Sequence, residues 1–500
     1  MSLNVRDYNN KEMLLFPAAI GDYLPKDHLA WIIDEVVEQL DLSCLYKKIS
    51  CVGNPSYHPK MMLKILFYGY ATSNFSSRKI AKGLESDVAF IFLSGMQKPD
   101  FRTISDFRKN NADELPKLFI QIVRLCHKLG LVGLGHICLD STVMKANANR
   151  KKFRDKEELI EEEQAIREKI QELLDTAEAI DAKEDKLFGK DRRGDELPQE
   201  LRDPKRRLEK IREAKKKLEE ESSKEINLTD PEATFQKHNS HLIRPGYRAE
   251  IAVDEKEQVI VACDCINEAN DTRRLVPLLD EVASNLPEVS TQESVVVTAD
   301  SNYSSIDGLA KLETRKHIDA YIPDAKYQAQ KNGNLTDEDS PFHKKYFVYN
   351  PKKDVYVCPN GKKLTFKRRK TATKGESPAS IYGCNDCHSC KYFSICTKSK
   401  SGREIRVYDN IELLYEMRKK LETADGRSIY KRRQAIVEPV FANIKHNLKF
   451  REFLLRGLKR VKAEFTLIAI VHNIQKIARF LKKLLFSKLP RGELALLLAT

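Results

Sequence analysis

The chain has 500 residues, 41% hydrophobic and 32% charged, which excludes a wholly disordered protein and predicts about two to four structural units. It has no signal pattern, long apolar run or dense cysteine framework, which favours a protein that is neither secreted nor membrane-spanning, in a reducing compartment. The net charge of +14 is divided into −9 over residues 1–340, +11 over 341–400 and +12 over 401–500, which favours a polyanionic partner such as nucleic acid over ordinary solvated lysines and arginines.

Residues 1–130 have the spacing of several short helices. Pro59 begins one of them, Ser76 or Ser77 is the candidate cap of a second, Thr103 is that of a third, and Gly130 closes another. Basic side chains that could contact DNA are spread over these helices: Arg78, Lys79, Lys82, Arg102, Arg108 and Lys109. We interpret residues 1–130 as a helical domain for DNA binding or dimerisation, and a plain packing unit remains an equal alternative.

An α/β pattern begins in residues 131–150 and resumes in residues 226–329. In the first piece, an apolar run at 137–139 predicts a strand that ends at Asp140, and in the second a run of valines predicts a strand that ends just before Asp300. Each aspartate would stand at the carboxyl edge of its strand, where open α/β sheets usually carry functional groups. Carboxylates on neighbouring strands would converge and need a cation, for which Mg²⁺ is suited.

A charged segment, residues 151–225, separates these two pieces. Its hydrophobic residues recur seven apart among many Glu and Lys, as in Leu159, Ile166, Leu173 and Ile180. Heptad spacing of this kind predicts an antiparallel helical hairpin of the coiled-coil type. We interpret it as an insertion that carries no evident chemistry.

The basic segment 330–400 contains five of the eleven cysteines. Four of them form a C-x2-C-x2-C-x5-C array, and a fifth lies 26 positions upstream: Cys384, Cys387, Cys390 and Cys396, with Cys358 as an alternative ligand. Two-residue gaps allow thiolates to converge on one metal, and four sulfurs suit structural Zn²⁺. Iron–sulfur ligation and reduced cysteines in a flexible insertion remain open.

Residues 401–486 read as helices, followed by a tail at 487–500. Glu438 is a single acid in the basic stretch YKRRQAIVEPVFANIKHNL, which makes it either a salt-bridge partner or a metal ligand beside phosphate-binding groups. Pro439 follows it directly, so we expect a kink or a new helix start at this point.

Several blocks of the sequence resemble bacterial insertion-sequence transposases with an RNase H-like DDE domain. The similarity covers roughly residues 55–145 and 225–480, and the blocks occur in the family's order. They include YHPKMMLKILFYGYATSNFSSRKIAKGLES, PDFRTISDFRK, HICLDSTVMKANANR, GYRAEIAVDEKEQVIVACDCINEANDT, VVTADSNYSS and IVEPVFANIKHNLKF.

The resemblance implies a role for individual residues. Asp140, Asp300 and Glu438 would form the catalytic DDE triad and hold two Mg²⁺ or Mn²⁺ ions. Related elements carry a Tyr-Arg-Glu-Lys signature around the glutamate, and the candidate DNA-binding residues matched to it or near it are Tyr430, Arg432, Arg433 and Lys445. The interval from Arg433 to Glu438 is one residue longer than in that signature. Arg273 stands where relatives often have histidine, so Arg273 or Arg274 would stabilise transition-state charge instead.

The resemblance also implies a fold and a function. The fold is an α/β RNase H-like core, a mixed sheet flanked by helices, with a helical N-terminal domain and the two insertions. The function is that of a DNA transposase, which cuts at terminal inverted repeats and joins the ends to target DNA. The protein would act as a homodimer on DNA in the bacterial cytoplasm, associated with the nucleoid. Two alternatives remain: a metal-dependent nuclease without strand transfer, and a domesticated, non-catalytic DNA-binding protein.

Overall fold

A computed structural model describes residues 19–49, 55–188, 199–221, 225–239, 242–268, 271–334, 340–371 and 377–486. The chain divides into two compact units, one containing residues up to Leu131 together with those from Thr466 onward, and one spanning Val132–Phe465. Within the described ranges, no helix is both long enough and apolar enough to cross a membrane.

The first unit is helical, as predicted. Its helices before residue 131 are α1 (Leu29–Glu38), α2 (Ser43–Tyr46), α3 (Pro59–Ala71), α4 (Ser77–Ser86), α5 (Val88–Ser94), α6 (Phe101–Asn110) and α7 (Leu115–Lys128). Helix α6 is capped by Asp100, which accepts the Thr103 N–H at 2.7 Å, so Thr103 lies inside the helix and is not its cap. Arg108 is buried and donates to the Tyr70 hydroxyl at 2.8 Å, which withdraws it from the predicted set of DNA contacts.

The second unit is built on a mixed sheet. Its strands are β1 (His136–Lys145), β2 (Phe153–Asp155), β3 (Glu225–Asn227), β4 (Thr234–Asn239), β5 (Leu242–Asp254), β6 (Ile260–Ile266), β7 (Val295–Ala299) and β8 (Ile318–Tyr321). The order is β4-β5-β1-β7-β8, with β6 also on β5, and β2 pairs with β3 separately. Strand β1 is antiparallel to β5 and parallel to β7. A mixed α/β fold is therefore confirmed.

The prediction that strand β1 ends at Asp140 is wrong. The strand continues to Lys145. The reason is that its two neighbours stop at different points. The parallel partner β7 pairs only as far as Leu139, whereas the antiparallel partner β5 continues from Ile137 to Lys145. Asp140 consequently lies on a strand that is still paired with β5, at the point where the pairing with β7 has ended.

The charged segment forms the helices α8 (Lys156–Phe188) and α9 (Gln199–Glu221). They share a buried apolar cluster formed by Leu159, Ile166, Ile211, Ala214 and Leu218. The heptad spacing therefore predicted the pairing of these helices correctly. After β6 the chain continues through α10 (Leu275–Asn285), α11 (Ile306–Glu313) and α12 (Ala325–Lys331).

The cysteine-bearing segment folds as a second sheet. Its strands are β9 (Val348–Asn350), β10 (Val355–Val357), β11 (Lys363–Lys370), β12 (Ala379–Gly383) and β13 (Glu404–Tyr408), and the short helix α13 (Phe393–Cys396) precedes the last strand. All neighbouring strands are antiparallel, in the order β13-β12-β11-β10-β9. The sheet extends to residue 408, eight residues beyond the segment marked out by composition.

The remaining helices are α14 (Glu412–Glu422), α15 (Ala424–Ala442) and α16 (Leu458–Phe486), with a π-helical turn at Asn443–Asn447. Helix α15 runs continuously through Pro439, so the predicted helix start at this residue is wrong. Proline has no N–H for the carbonyl four residues earlier. That carbonyl, of Ala435, instead accepts a hydrogen bond at 3.0 Å from the Gln258 side chain in the β5–β6 turn.

Candidate active site

Asp140 and Asp300 lie next to each other at one edge of the sheet. The parallel register pairs Leu139 of β1 with Ala299 of β7, and an aspartate follows each of these residues. Asp140 accepts the Ser141 N–H at 2.8 Å, and Asp300 accepts the Ser301 N–H at 2.5 Å. Two partly buried carboxylates are thereby held side by side.

The electrostatics of this pair favour a cation. Burial raises the pKa of Asp140 from 3.8 to about 6, and the charge of Asp300 adds to the rise. Arg433 and the Ser141 N–H act in the opposite direction without cancelling it. The pKa of this carboxylate stays raised because the positive charge around it is too small to offset its burial. A divalent ion, which prefers oxygen ligands, would supply the missing positive charge.

We expect Asp140→Asn to stabilise the metal-free protein at pH 8, by about 1–3 kcal/mol. The pKa of Asp140 is higher in the folded protein than in the unfolded chain. Its contribution to folding stability is therefore fully present below pH 3.8 and is lost as the pH rises through about 6. Urea unfolding in EDTA should therefore separate variant and wild type at pH 8 and bring them together near pH 4. A variant less stable than wild type at pH 8 would mean that the ion pair with Arg433 outweighs the burial cost.

Helix α15 contributes Arg433 and Tyr430 to the same place. The Arg433 Nη1 atom lies 3.1 Å from Asp140 Oδ2, and its guanidinium carbon is 5.9 Å from the centre of the Tyr430 ring. Burial raises the pKa of Tyr430 to about 12, and Asp300 and Asp140 add to the rise, so its hydroxyl stays protonated at neutral pH. The arginine thus partly neutralises the aspartates and is itself oriented by them.

Lys445 reaches the sheet from the π-helical turn. Its Nζ donates a hydrogen bond to the hydroxyl of Thr142, two residues beyond Asp140 on β1 and hence on the same face. Burial lowers the pKa of Lys445, whereas the charge of Asp140 raises it. A cation therefore lies beside the aspartate pair, at a position suited to a phosphate.

Glu438 is not part of this cluster of contacts. It is exposed on α15, five residues after Arg433 and about 7.5 Å further along the helix axis. Within the described ranges, no hydrogen bond or ion pair holds its carboxylate. Nor do any three His, Cys, Asp or Glu side chains of the described residues converge closely enough to hold a metal ion. The structure therefore brings two of the three predicted acids together and leaves the third exposed on α15.

The other predicted DNA-binding residues lie at separate places. Arg432 is exposed and forms an ion pair with Glu255. Arg273 is exposed and lines an open cavity of about 810 Å³. Arg274 is paired with Glu250 at 2.7 Å and with Asp264 at 2.6 Å. Of the two arginines named as substitutes for a histidine, Arg273 is therefore the one that faces open space.

Sequence reasoning missed Asp271, a fully buried carboxylate behind the aspartate pair. Its Oδ2 accepts the Ser141 hydroxyl at 2.6 Å, and its Oδ1 lies 2.9 Å from Arg248 Nε. Burial raises its pKa and Asp300 adds to the rise, whereas Ser141 and Arg248 oppose it. Because Ser141 follows Asp140, this contact fixes the strand on which Asp140 stands. No spacing or composition signal distinguishes Asp271 from other acids.

We expect Asp271→Asn to raise the Mg²⁺ concentration needed for half-maximal DNA cleavage by about tenfold, because a misplaced positioning group weakens metal binding by 10–100-fold. DNA affinity without metal should stay unchanged. Asp106→Asn, which removes a surface aspartate paired with Lys109 at 3.3 Å, is the matched control. An unchanged metal requirement in a folded Asp271→Asn protein would contradict the positioning role.

The five cysteines of the second sheet line one cavity of about 20 Å³, but no three of their sulfurs converge closely enough to hold a metal ion. Cys358 Sγ accepts the Lys362 N–H at 3.3 Å, Cys387 Sγ accepts the Arg403 N–H at 3.4 Å, and Cys390 Sγ accepts the Asn360 side-chain amide at 3.3 Å. All five are free thiols. Burial, with a contribution from Cys387, raises the pKa of Cys384 to about 11, so without a metal this thiol is protonated.

Two family models match the chain. Residues 18–110 match a model described as Transposase domain (DUF772), and residues 357–478 match one described as Transposase DDE domain. The second match contains Glu438, Lys445 and the cysteines, whereas Asp140 and Asp300 lie outside both. A comparison with curated proteins found no match. The two models occur in the order that the sequence blocks predicted, and together they indicate a DDE transposase of an insertion sequence.

Proposed function

We propose that Asp140, Asp300 and Glu438 are the metal ligands of this DNA transposase, in an RNase H-like core. The observation that carries the proposal is the parallel register that sets Asp140 beside Asp300. The strand order supports it: β5 and β6 lie on one side of the central strand β1, and the parallel strands β7 and β8 lie on the other.

Two divalent cations, Mg²⁺ or Mn²⁺, fit these residues. The aspartates repel each other, and Glu438 is exposed and has no partner among the described residues. Two such ions would activate the attacking oxygen and neutralise charge on the leaving oxygen. The chain's own groups do the rest: Arg433 holds Asp140 in place, and Lys445 and Tyr430 offer donors for a phosphate beside it.

The proposed reaction cuts DNA at the element's inverted repeats and joins the freed 3′-hydroxyl to target DNA. Carboxylates that bind metal need no covalent enzyme intermediate, so the 3′-hydroxyl itself is the nucleophile. Pre-cut ends should therefore join a supercoiled target only when they carry this hydroxyl. Ends with a 3′-deoxy terminus should bind equally well and give no joined product. Joining by 3′-deoxy ends would overturn this mechanism, and cutting without any joining would favour the nuclease alternative.

Joining two ends to one target requires two active sites. We propose that a homodimer assembles on DNA and that each copy contributes one set of Asp140, Asp300 and Glu438. Mixing active chains with inactive Asp300→Asn chains tests this assembly. Mixed dimers would contain one active and one inactive site, so we expect products joined at one end only to accumulate in the mixture. Strictly additive activity of independent chains would contradict it.

We also propose that the cysteine cavity holds a structural Zn²⁺. Three N–H groups point at three of its sulfurs, which is how protein donors stabilise the charge of metal-bound thiolates. Cys358 lines the same cavity as the other four cysteines and also accepts an N–H hydrogen bond. The zinc ligands would therefore be drawn from a set of five cysteines. The metal would fix the turns at one end of the second sheet.

A further inference from the structure

The second sheet has two chemically different faces. One face carries Leu364, Tyr382 and Ile405 and packs into the apolar cluster that includes two of the cysteines. The other is the basic face, which we define as Lys363, Lys367, Arg368 and Arg406. Alternation along the strands makes Lys363 and Arg406 point away from the apolar cluster.

The strand register places the basic side chains on this one face. Arg368 of β11 is opposite Ile381 of β12, which in turn is opposite Arg406 of β13. Ile381 is only 2% exposed although it lies on this face, and the arginines flank it on both sides. The two arginines therefore stand on either side of a buried isoleucine, on strands that are hydrogen-bonded to the strand between them.

A β-bulge adds Lys367 to the same face. The register shifts between Phe366 and Arg368, which leaves Lys367 without a partner on β12. Its side chain lies across Gly383: a Cβ atom there would be 2.8 Å from Lys367 Nζ. The missing side chain at Gly383 thus makes room for a fourth cation.

The charges on this face are mostly uncompensated. Glu404 pairs with Arg368 at 3.1 Å. Lys363, Lys367 and Arg406 are exposed, and within the described ranges no acidic side chain pairs with them. Because these cations stand on hydrogen-bonded strands and not on a loose loop, they form a preorganised array.

We propose that the basic face binds the phosphate backbone of duplex DNA. The proposal rests on the chain's function as a DNA transposase. It adds a DNA-binding surface that contains none of the proposed catalytic residues. From Lys363 to Arg368 the array extends roughly 15 Å along β11, a length over which duplex DNA carries about nine phosphate charges. The basic face offers positive charges but no helix or loop that could enter a DNA groove and contact base edges. We therefore expect its contribution to DNA affinity to be independent of the DNA sequence.

Salt dependence of DNA binding tests this proposal. The variant Lys363→Gln/Lys367→Gln/Arg406→Gln keeps side-chain stems over the sheet and removes three charges. Each lost phosphate contact should reduce the slope of log affinity against log salt by about 0.9. Between 50 and 200 mM salt, wild-type affinity should fall about 40-fold more than that of the variant, on specific and random duplexes alike.

The control removes the same charges elsewhere. Lys205→Gln/Arg206→Gln/Lys210→Gln takes two exposed lysines and one exposed arginine from α9 and should leave the slope unchanged. At low salt the basic-face variant should still cut DNA, whereas an Asp140→Asn chain should bind DNA and not cut it. A wild-type slope in the basic-face variant, or an equal loss in the α9 control, would overturn the proposal without touching the catalytic assignment.

Discussion

Asp140→Asn and Asp300→Asn should each lower the rate of DNA cleavage by about 10³-fold or more. Metal ions supply several kcal/mol of transition-state stabilisation, and each 1.4 kcal/mol is about tenfold in rate. Glu438→Gln should have a comparable effect if its carboxylate completes the site. Single-turnover cleavage of labelled element ends measures these rates, and mobility-shift titration in Ca²⁺ or EDTA should give DNA affinities close to wild type.

The glutamate has a matched control in the same part of the chain. Glu416 is exposed on α14, and no described residue forms an ion pair with it. Glu416→Gln therefore removes one exposed charge from a neighbouring helix and should retain full cleavage. If Glu438→Gln cuts DNA as fast as Glu416→Gln, Glu438 is not a metal ligand and another acid must complete the site.

Cys384→Ser/Cys387→Ser should abolish metal binding in the second sheet and unfold it locally. Structural Zn²⁺ contributes about 10–16 kcal/mol of apparent binding free energy in small zinc domains, far more than a sheet of this size retains without it. Elemental analysis should find one zinc per wild-type chain and none in the variant. Limited proteolysis should then cut between residues 340 and 408 in the variant and in chelator-treated wild type.

Cys44→Ser is the control for this experiment, because Cys44 is a free thiol far from the cavity in sequence and belongs to the other compact unit. It should retain the metal and the wild-type proteolysis pattern. A metal-free wild-type protein with a protease-resistant second sheet would contradict the zinc proposal. Iron together with visible absorption would instead indicate an iron–sulfur cluster.

The aspartate pair could be located from the sequence because apolar runs mark buried strands well. The runs before Asp140 and Asp300 correspond to the paired parts of β1 and β7. The continuation of β1 to Lys145 escaped prediction, since residues 140–145 are polar or mixed and owe their strand geometry to the distant partner β5. Long-range pairing overrides a local pattern in such cases.

Two other features depended on contacts that no local pattern reveals. Pro439 predicts a helix break, yet the Gln258 side chain satisfies the carbonyl that the proline leaves free. The second sheet escaped prediction because four of its five strands have only three to five residues, and their apolar residues pack against the cysteine cluster and not against a large core. The spacing did predict that the cysteines lie near one another, and all five line one cavity.

The two insertions separate the proposed metal ligands widely along the chain. Asp140 and Glu438 are separated by 298 positions, and both the helical hairpin and the second sheet lie between them. At a synthesis rate of about 5–20 residues per second, roughly 15–60 s pass between the appearance of the first acid and the last. A partly synthesised chain would therefore hold β1 without α15 and would lack the third of the proposed metal ligands until synthesis is nearly complete.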